Sequence, residues 1–386
     1  MSMTPPLALY VHIPWCVRKC PYCDFNSHAL RKSLPENDYV AALIADLDSA
    51  LPQIAGRPLV SLFFGGGTPS LLSGGAIDAI LTAVRDRVPL AQDAEITLEA
   101  NPGATEAEKF AAFRTAGVNR LSLGIQSFNP AHLQALGRIH DEHQAQRAIE
   151  LAMHSFDNVN LDLMYGLPGQ TLDQALLDLD QALAFAPTHL SCYQLTIEPE
   201  TVFAARPPAL DPDLCADMQE LIEAKLAAAD YVNYETSAFA KPGRQCRHNL
   251  NYWTFGDYLG IGAGAHGKLT LANDADLASG HRILRQARWK QPAQYMAQVA
   301  AGHPYQEAFT VDGAELPFEF MMNALRLNQG FEMPLFSERT GLPPERIEAQ
   351  LRQAIADGLL EREADHIRPT RRGRRFLNRL LEQFLP

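Results

Sequence analysis

Six short apolar runs, each followed by a polar or glycine-rich break, dominate the first half of the chain. The runs lie at 8–15, 59–70, 94–102, 120–128, 158–168 and 189–199, and helical spacing of apolar residues occupies 36–54, 75–87, 105–116, 141–155 and 171–186. Strands that alternate with helices favour a parallel sheet. The sequence therefore predicts an α/β fold.

The polar breaks show where a site would form. They contain Gly65 to Thr68, Glu99, Asn101, Gln126, Asp162 and Thr196. Carboxyl ends of parallel strands meet at one edge, which is the site face of a β/α barrel. A doubly wound sheet would show G-x-G-x-x-G after its first strand, and that motif is absent there. An incomplete (β/α)6 TIM-like barrel is predicted.

Three cysteines follow the first strand at C-x3-C-x2-C spacing: Cys16, Cys20 and Cys23. Three thiolates on one loop can bind three irons of a cubane cluster and leave the fourth iron open. A disulfide framework does not fit an odd cluster in a long, cysteine-poor chain. A zinc site stays open as an alternative, because His12 or His28 can supply a fourth ligand.

The run Gly65-Gly66-Gly67-Thr68 has two interpretations. Glycine tolerates positive φ, so the run can simply be a tight strand-to-loop turn. Alternatively it lets the backbone approach a ligand. Its place beside the cysteine loop and the strand-end polar residues favours the ligand.

A group of histidine and aromatic residues, His248, Asn249, Tyr252 and Trp253, lies in the segment 244–268. A histidine there is commonly a hydrogen-bonded packing residue. Together with the nearby rings it also offers a flat macrocycle an axial nitrogen and surfaces to stack on. Gly260 to His266 is predicted to be a flexible loop.

The pattern of apolar and charged residues changes near residue 310. Three helices, a hairpin and a basic final helix predict a winged-helix-like C-terminal domain. The domains expected are 1–240, a partial barrel; 241–309, a connecting segment; and 310–386, mainly helical. DNA binding by the basic end is disfavoured, because the formal net charge is -12 and no other basic stripe exists.

The N-terminus has no basic region followed by a long apolar run, so no signal peptide is expected. No stretch has the length and apolar character of a membrane span. A cytoplasmic location is expected, with peripheral attachment to the inner membrane as an alternative.

Several motifs together resemble a known family. They are YVHIPWCVRKCPYCDF, GGGTPS, LEANP, LGIQSF, DLMYGLPGQT and FEFMMNALRL, and they cover nearly the whole chain. The cysteine spacing is similar to that of radical S-adenosylmethionine (SAM) proteins. The full set resembles the oxygen-independent coproporphyrinogen III oxidase family within them. In that family the open iron is chelated by the amino and carboxylate groups of SAM, and an electron from the cluster cleaves the C–S bond to give a deoxyadenosyl radical.

The resemblance implies roles for individual residues. Cys16, Cys20 and Cys23 would hold a 4Fe-4S cluster. The cofactor SAM would be contacted by Tyr10, Tyr22, Gly66, Gly67, Thr68, Glu99, Gln126, Arg138 and Asp162. Arg138 can pair a carboxylate bidentately, and Asp162 can accept from ribose hydroxyls. Thr196 is a weaker candidate.

Two departures from the oxidases favour the haem chaperone branch of the family. Oxidases carry a further cysteine where this chain has Phe25, and their N-terminal extension is not seen before the cysteine loop. The run H-N-L-N-Y-W at 248–253 is similar to the haem motif of the chaperone branch. The resemblance thus implies haem bound at His248, with Cys246, His266 or no group as second axial ligand.

The implied partners are haem, acceptor haemoproteins of respiratory-chain or ferritin-like type, and an electron donor such as flavodoxin or ferredoxin. Coproporphyrinogen oxidation by the same cluster is the alternative function. A zinc-stabilised barrel with a DNA-binding tail is the alternative from another class.

Overall fold

The computed structural model describes residues 4–103, 107–271 and 280–386. Its strands in chain order are β1 (Leu7–Ile13), β2 (Trp15–Cys16), β3 (His28–Ala29), β4 (Leu59–Gly66), β5 (Leu90–Ala100), β6 (Arg120–Gln126), β7 (Val159–Tyr165), β8 (His189–Gln194), β9 (Val232–Asn233), β10 (Ala238–Ala240), β11 (Asp257–Ile261), β12 (His266–Leu271), β13 (Arg282–Arg288), β14 (Tyr305–Thr310), β15 (Phe331–Glu332), β16 (Leu360–Glu363) and β17 (His366–Pro369).

The helices that cover and follow these strands are α1 (Glu36–Ile54), α2 (Gly74–Arg87), α3 (Phe110–Ala116), α4 (Pro130–Ala135), α5 (Glu142–Ser155), α6 (Leu172–Ala184), α7 (Val202–Ala205), α8 (Pro212–Ala228), α9 (Arg247–Trp253), α10 (Pro292–Ala300), α11 (Leu316–Ala324), α12 (Met333–Thr340), α13 (Glu348–Ala356), α14 (Arg371–Arg375) and α15 (Leu377–Glu382). Within the described part of the chain, none of them is long and apolar enough to cross a membrane.

One sheet organises the first 310 residues. Its order is β14-β13-β12-β11-β1-β4-β5-β6-β7-β8-β10-β9. The six predicted strands form its centre, and they pair in parallel from β1 to β8. Both faces of this centre are covered, so β1 buries Leu7, Leu9, Val11 and Ile13 almost completely. The outer strands β14 and β9 do not pair with each other in the described ranges. The predicted α/β fold is confirmed, with a sheet that stays open.

The segment 241–309 is more than the connection that the sequence predicted. It contains α9, α10 and the four strands β11 to β14, and β11 pairs in parallel with β1. The predicted flexible loop is wrong at Gly260, which lies inside β11. A Cβ on Gly260 would lie 2.0 Å from the His266 carbonyl oxygen, so this glycine marks a close strand approach rather than a loop.

A buried ion pair fastens these added strands to the barrel. Arg288 on β13 contacts Asp46 on α1 at 3.1 Å, and both side chains are fully buried. The Tyr295 hydroxyl of α10 donates to the same carboxylate at 2.8 Å. The backbone N–H of Gly262 also donates to it at 3.1 Å. A buried charge pair of this kind is tolerable only because further hydrogen bonds satisfy it.

The C-terminal part, from Leu316 on, is mainly helical and packs around a second apolar core. Phe320 and Phe336 are fully buried in that core, and Phe255 of the preceding segment packs into it as well. Helices α11, α12 and α13 precede the hairpin β16–β17, to which β15 adds a third strand. This is the predicted winged-helix-like order. Two arginines of the basic end, Arg371 and Arg375, form ion pairs with Glu220 on α8.

The buried pair predicts a difference between two aspartates of α1. Asp46→Ala leaves the Arg288 charge buried without its partner, so the free energy of unfolding falls by about 3–5 kcal/mol. Asp48→Ala removes the surface pair with Arg87, in which Asp48 is 47% exposed, and costs about 1 kcal/mol or less. Urea unfolding of both variants measures this. Equal losses would show that the Asp46 pair does not hold the added strands.

Candidate functional site

The three predicted thiols line one cavity at the carboxyl edge of the sheet. Cys16, Cys20 and Cys23 are free and partly buried, and they border a cavity of about 340 Å³, called here the main cavity. The pairing of β2 with β3 closes the loop between them, and the Cys23 N–H donates to the Cys20 carbonyl at 3.2 Å. Short-range backbone bonds thus shape the loop and turn its thiols towards one space.

In the described ranges, no three His, Cys, Asp or Glu side chains converge as ligands of a single metal ion. The predicted cluster does not need such convergence. Each thiolate of a 4Fe-4S site binds its own iron, so the thiolates stand further apart than the ligands of one ion.

The main cavity gathers nearly all the other predicted residues. Besides the cysteines it is lined by Tyr22, Gly66, Gly67, Thr68, Glu99, Gln126, Arg138 and Asp162. Tyr10 and His248 do not line it, and Thr196 is exposed and hydrogen-bonded to Glu198. The parallel strands β4, β5, β6 and β7 bring these side chains together, because each ends at the same edge.

The glycines at the end of β4 are required by the protein's own packing. Gly66 has φ +111°, and a Cβ there would lie 2.5 Å from the His12 ring. A Cβ on Gly67 would lie 2.5 Å from the Trp15 carbonyl oxygen. Both interpretations of the run therefore have support, since the tight approach is to β1 and β2 while Gly66 and Gly67 also border the cavity.

Two carboxyl groups face each other across the main cavity. Glu99 accepts a hydrogen bond from the Gly66 N–H at 3.2 Å. Burial, reinforced by the charge of Asp162, raises the pKa of the Glu99 carboxyl to about 8. Burial also raises the pKa of Asp162, which accepts from Ser122 at 3.1 Å and from Asn160 at 2.8 Å. The pair is thus suited to a ligand that brings positive charge or hydroxyl donors.

Two arginines balance these carboxyls. Arg138 donates to Asn101 Oδ1 and to the Gly124 carbonyl, both at 2.6 Å, and its Nη1 lies 3.8 Å from Cys20 Sγ. Arg120 also lines the cavity, is 2% exposed, and its Nε has no hydrogen-bond partner among the described residues. Sequence analysis missed Arg120, because it stands at the start of β6 where the pattern offered no polar break.

A strained backbone conformation orients the side chain of Gln126. This residue has φ +68°, which is uncommon outside glycine, and the register between β6 and β7 shifts between Gly124 and Gln126. Such backbone strain costs of order 1–3 kcal/mol per residue, and strained residues cluster at active and ligand-binding sites. The irregularity places the Gln126 side chain on the wall of the main cavity.

The helix that carries the histidine motif, α9, forms part of the walls of two cavities. Asn249 lines the main cavity, and Tyr252, one turn later, lines a second cavity of about 380 Å³ that also contains Tyr10. His248 lines neither. It is 4% exposed, its Nδ1 lies 3.1 Å from Ser61 Oγ, and its ring stacks on Phe63. Burial and the Arg120 charge lower its pKa to about 3.

Glu95 fixes the start of α9 and was also missed by sequence analysis. Its carboxylate accepts from the backbone N–H groups of Arg247 and His248, each at 3.2 Å, and from the Cys246 thiol at 3.3 Å. An acidic group at a helix N-terminus meets unpaired N–H groups and the positive end of the helix dipole. A charged residue inside a strand was the only sequence signal.

The main cavity fits a cluster together with SAM. Its three thiols can bind iron, while SAM carries a sulfonium, an amino group, a carboxylate and ribose hydroxyls. Arg120, whose Nε has no hydrogen-bond partner among the described residues, and the engaged Arg138 can receive the carboxylate. Glu99 and Asp162, whose charges are poorly solvated, gain from amino and hydroxyl donors.

Comparison with known proteins agrees with this geometry. The family model for the radical SAM superfamily matches residues 10–182, and the model for the HemN C-terminal domain matches residues 311–376. The chain is 51% identical to heme chaperone HemW of Escherichia coli (strain K12), with 100% of both chains covered. It is 48% identical to heme chaperone HemW of Haemophilus influenzae, over 100% of this chain and 99% of the relative.

Two further proteins match most of this chain at lower identity. A mouse protein, radical S-adenosyl methionine domain-containing protein 1, mitochondrial, is 38% identical over 85% of this chain and 75% of its own. The solved structure of coproporphyrinogen III oxidase (HemN) from Escherichia coli, a radical SAM enzyme, superposes with a TM-score of 0.82 at 25% identity. It covers 99% of this chain and 90% of the oxidase.

Because burial raises the pKa of Glu99, removing its carboxyl is predicted to stabilise the folded protein more at high pH than at low pH. Between pH 4.5 and about 8 this carboxyl is ionised in the unfolded chain but keeps its proton in the folded one. The difference lowers the free energy of unfolding of the wild type as pH rises. Glu99→Gln keeps an acceptor for the Gly66 N–H and removes this loss. The melting temperature of cofactor-free Glu99→Gln, relative to wild type, should therefore be higher at pH 8 than at pH 5. A difference independent of pH would contradict the shift.

Proposed function

Since the chain belongs to the radical SAM superfamily and, within it, to the family of proteins named heme chaperone HemW, we propose that it is a haem chaperone. In this proposal it holds a 4Fe-4S cluster and SAM in the main cavity, binds haem beside them and delivers haem to acceptor haemoproteins. The observation that carries the proposal is the full-length 51% identity to a relative named heme chaperone.

Cys16, Cys20 and Cys23 are the proposed cluster ligands. Burial raises the pKa of the Cys16 and Cys23 thiols, so iron binding must displace a proton from each and release it to solvent. Arg138, whose Nη1 lies 3.8 Å from Cys20 Sγ, stabilises the resulting negative charge. When bound, a cluster with one open iron supplies an electron to SAM and a coordination position for it.

The remaining residues of the main cavity are proposed to position SAM. Arg120 and Arg138 hold the carboxylate, and Glu99 receives the amino end next to Gly66. Asp162 accepts from ribose hydroxyls, as its bonds from Ser122 and Asn160 show it to be a good acceptor. Tyr22 flanks the site from the cysteine loop. Tyr10 lines the second cavity rather than the main one. We therefore propose that it supports SAM binding indirectly, from the far side of Glu99.

Phe25 supports a haem carrier over an oxidase. Its side chain is 58% exposed and borders both cavities, so an apolar ring stands at the rim where oxidases of the family carry a cysteine. An exposed large aromatic ring at a cavity rim suits a flat apolar ligand. His248 is proposed to support the haem-facing Tyr252, whose ring centroid is 5.0 Å away.

The proposed partners follow from this function. A flavodoxin or ferredoxin would reduce the cluster, and a haemoprotein of respiratory-chain or ferritin-like type would receive the haem. Coproporphyrinogen oxidation is the second candidate, favoured by the TM-score of 0.82 with the oxidase structure. The residues of the main cavity serve both functions, so only assays separate them.

The chaperone proposal predicts two results on one anaerobic sample. After reconstitution with iron and sulfide, the wild type should retain roughly four irons per chain. Added haem should then produce a Soret band in the difference spectrum. Cys20→Ser should lose the iron, whereas Cys215→Ala, a buried cysteine on α8 outside the motif, should keep it.

Each arm has a contradicting outcome. Full iron retention by Cys20→Ser would exclude the proposed cluster ligands. An unchanged spectrum on adding haem would reject the chaperone function. Formation of protoporphyrinogen from coproporphyrinogen by the reconstituted, reduced sample with SAM would establish the oxidase instead.

A further inference from the structure

The second cavity lies against the main cavity and shares three wall residues with it. Phe25, Gly66 and Glu99 border both. A ligand in the second cavity would therefore sit beside the proposed cluster and SAM, with these shared residues between them. With a volume of about 380 Å³, the second cavity is comparable in size to the main cavity.

Aromatic rings form one side of the second cavity. Tyr252 and Tyr258 stack with ring centroids 4.1 Å apart and planes inclined by 22°. The Tyr258 hydroxyl accepts from Arg285 at 2.6 Å, which holds that ring in place. The exposed Phe25 ring stands at the rim. These rings offer a flat apolar ligand surfaces for stacking.

Two histidines border the second cavity, and only one has free ring nitrogens. His12 is 5% exposed, with Nδ1 3.0 Å from the Tyr10 hydroxyl and Nε2 2.9 Å from the Asn26 carbonyl oxygen. His266, the first residue of β12, is exposed, and its ring nitrogens form no hydrogen bond to any described residue. These ring nitrogens are therefore available to a ligand in the second cavity. A neutral imidazole is the form that binds haem iron.

A cation completes the rim. Lys290 is exposed, borders the second cavity, and its ammonium forms no ion pair within the described ranges. Haem carries two propionates, and an ammonium at the mouth of a cavity with an aromatic wall can pair with one while the macrocycle enters. His248, by contrast, is enclosed between Ser61, Phe63 and Tyr252.

We propose that the second cavity is the haem site, with His266 as an axial ligand of the iron, Phe25 and Tyr252 against the macrocycle, and Lys290 paired with a propionate. This inference rests on the proposed haem-chaperone function and assigns its binding site. No redox step is involved, because the imidazole nitrogen donates an electron pair to the iron and its N–H proton stays in place.

The test compares histidine variants of the cluster-loaded full chain, titrated with haem. The variants are His266→Ala, His248→Ala and, as a matched control, His154→Ala on the exposed surface of α5. We expect His266→Ala alone to shift the Soret band and the spin state seen by electron paramagnetic resonance. Added imidazole should restore the wild-type spectrum of His266→Ala, which a general loss of folding would prevent. Cluster iron content checks that each variant is folded.

Lys290 gives an independent arm. Lys290→Ala should weaken haem binding by about fivefold or less, with the Soret position unchanged, because an exposed ion pair contributes at most about 1 kcal/mol. Lys290→Arg should retain the affinity. A shifted Soret band in Lys290→Ala would contradict its role at the propionate.

The outcomes separate this inference from the proposed function. Haem binding by the wild type with an unchanged spectrum in His266→Ala overturns the His266 assignment and leaves the chaperone function standing. A spectral change in His248→Ala that imidazole reverses would assign the iron to His248 instead. Failure of the wild type to bind haem overturns both.

Discussion

The pairing of β1 with two parallel neighbours controls the layout of the molecule. Leu9 stands opposite Leu62 of β4 on one side and Leu259 of β11 on the other. Since all three strands run the same way, β1 releases the cysteine loop between the ends of β4 and β11. The loop consequently lies between two cavities, one over the barrel strands and one over the added strands. Ligand crevices at the carboxyl ends of parallel strands commonly form in the same way.

Buried charged side chains hold the neighbouring helices and the added strands in position against the sheet. Glu95 on β5 holds the N-terminus of α9, which decides that Asn249 points to one cavity and Tyr252 to the other. Asp46 and Arg288 tie the added strands to α1. Buried ions are costly unless paired and hydrogen-bonded, so such contacts specify one arrangement more than they add stability. In this protein they determine which side chains border each cavity.

The same scaffold is shared by relatives named as a heme chaperone and as a coproporphyrinogen III oxidase. The oxidase structure covers 99% of the chain, and the main cavity contains the residues proposed to hold the cluster and SAM. At the rim of this cavity, Phe25 exposes an apolar ring that also borders the second cavity. Function resides in the site rather than in the fold. The proposed chaperone role accordingly depends on the second cavity and its rim more than on the barrel.

Local pattern alone determined the six central strands, helix α1 and the cysteine loop, because apolar periodicity and short-range spacing are written in consecutive residues. It also placed Glu99, Gln126 and Asp162 at one edge, since strand ends in a parallel sheet coincide. Only the tertiary structure decided that β11 joins β1, because the two strands are about 250 residues apart in the chain and short glycine-containing strands lack a period of their own. The same holds for Arg120 and Glu95, whose roles come from neighbours on other strands and helices. The burial of His248 and the exposure of His266 were likewise set by packing, which sequence spacing does not encode.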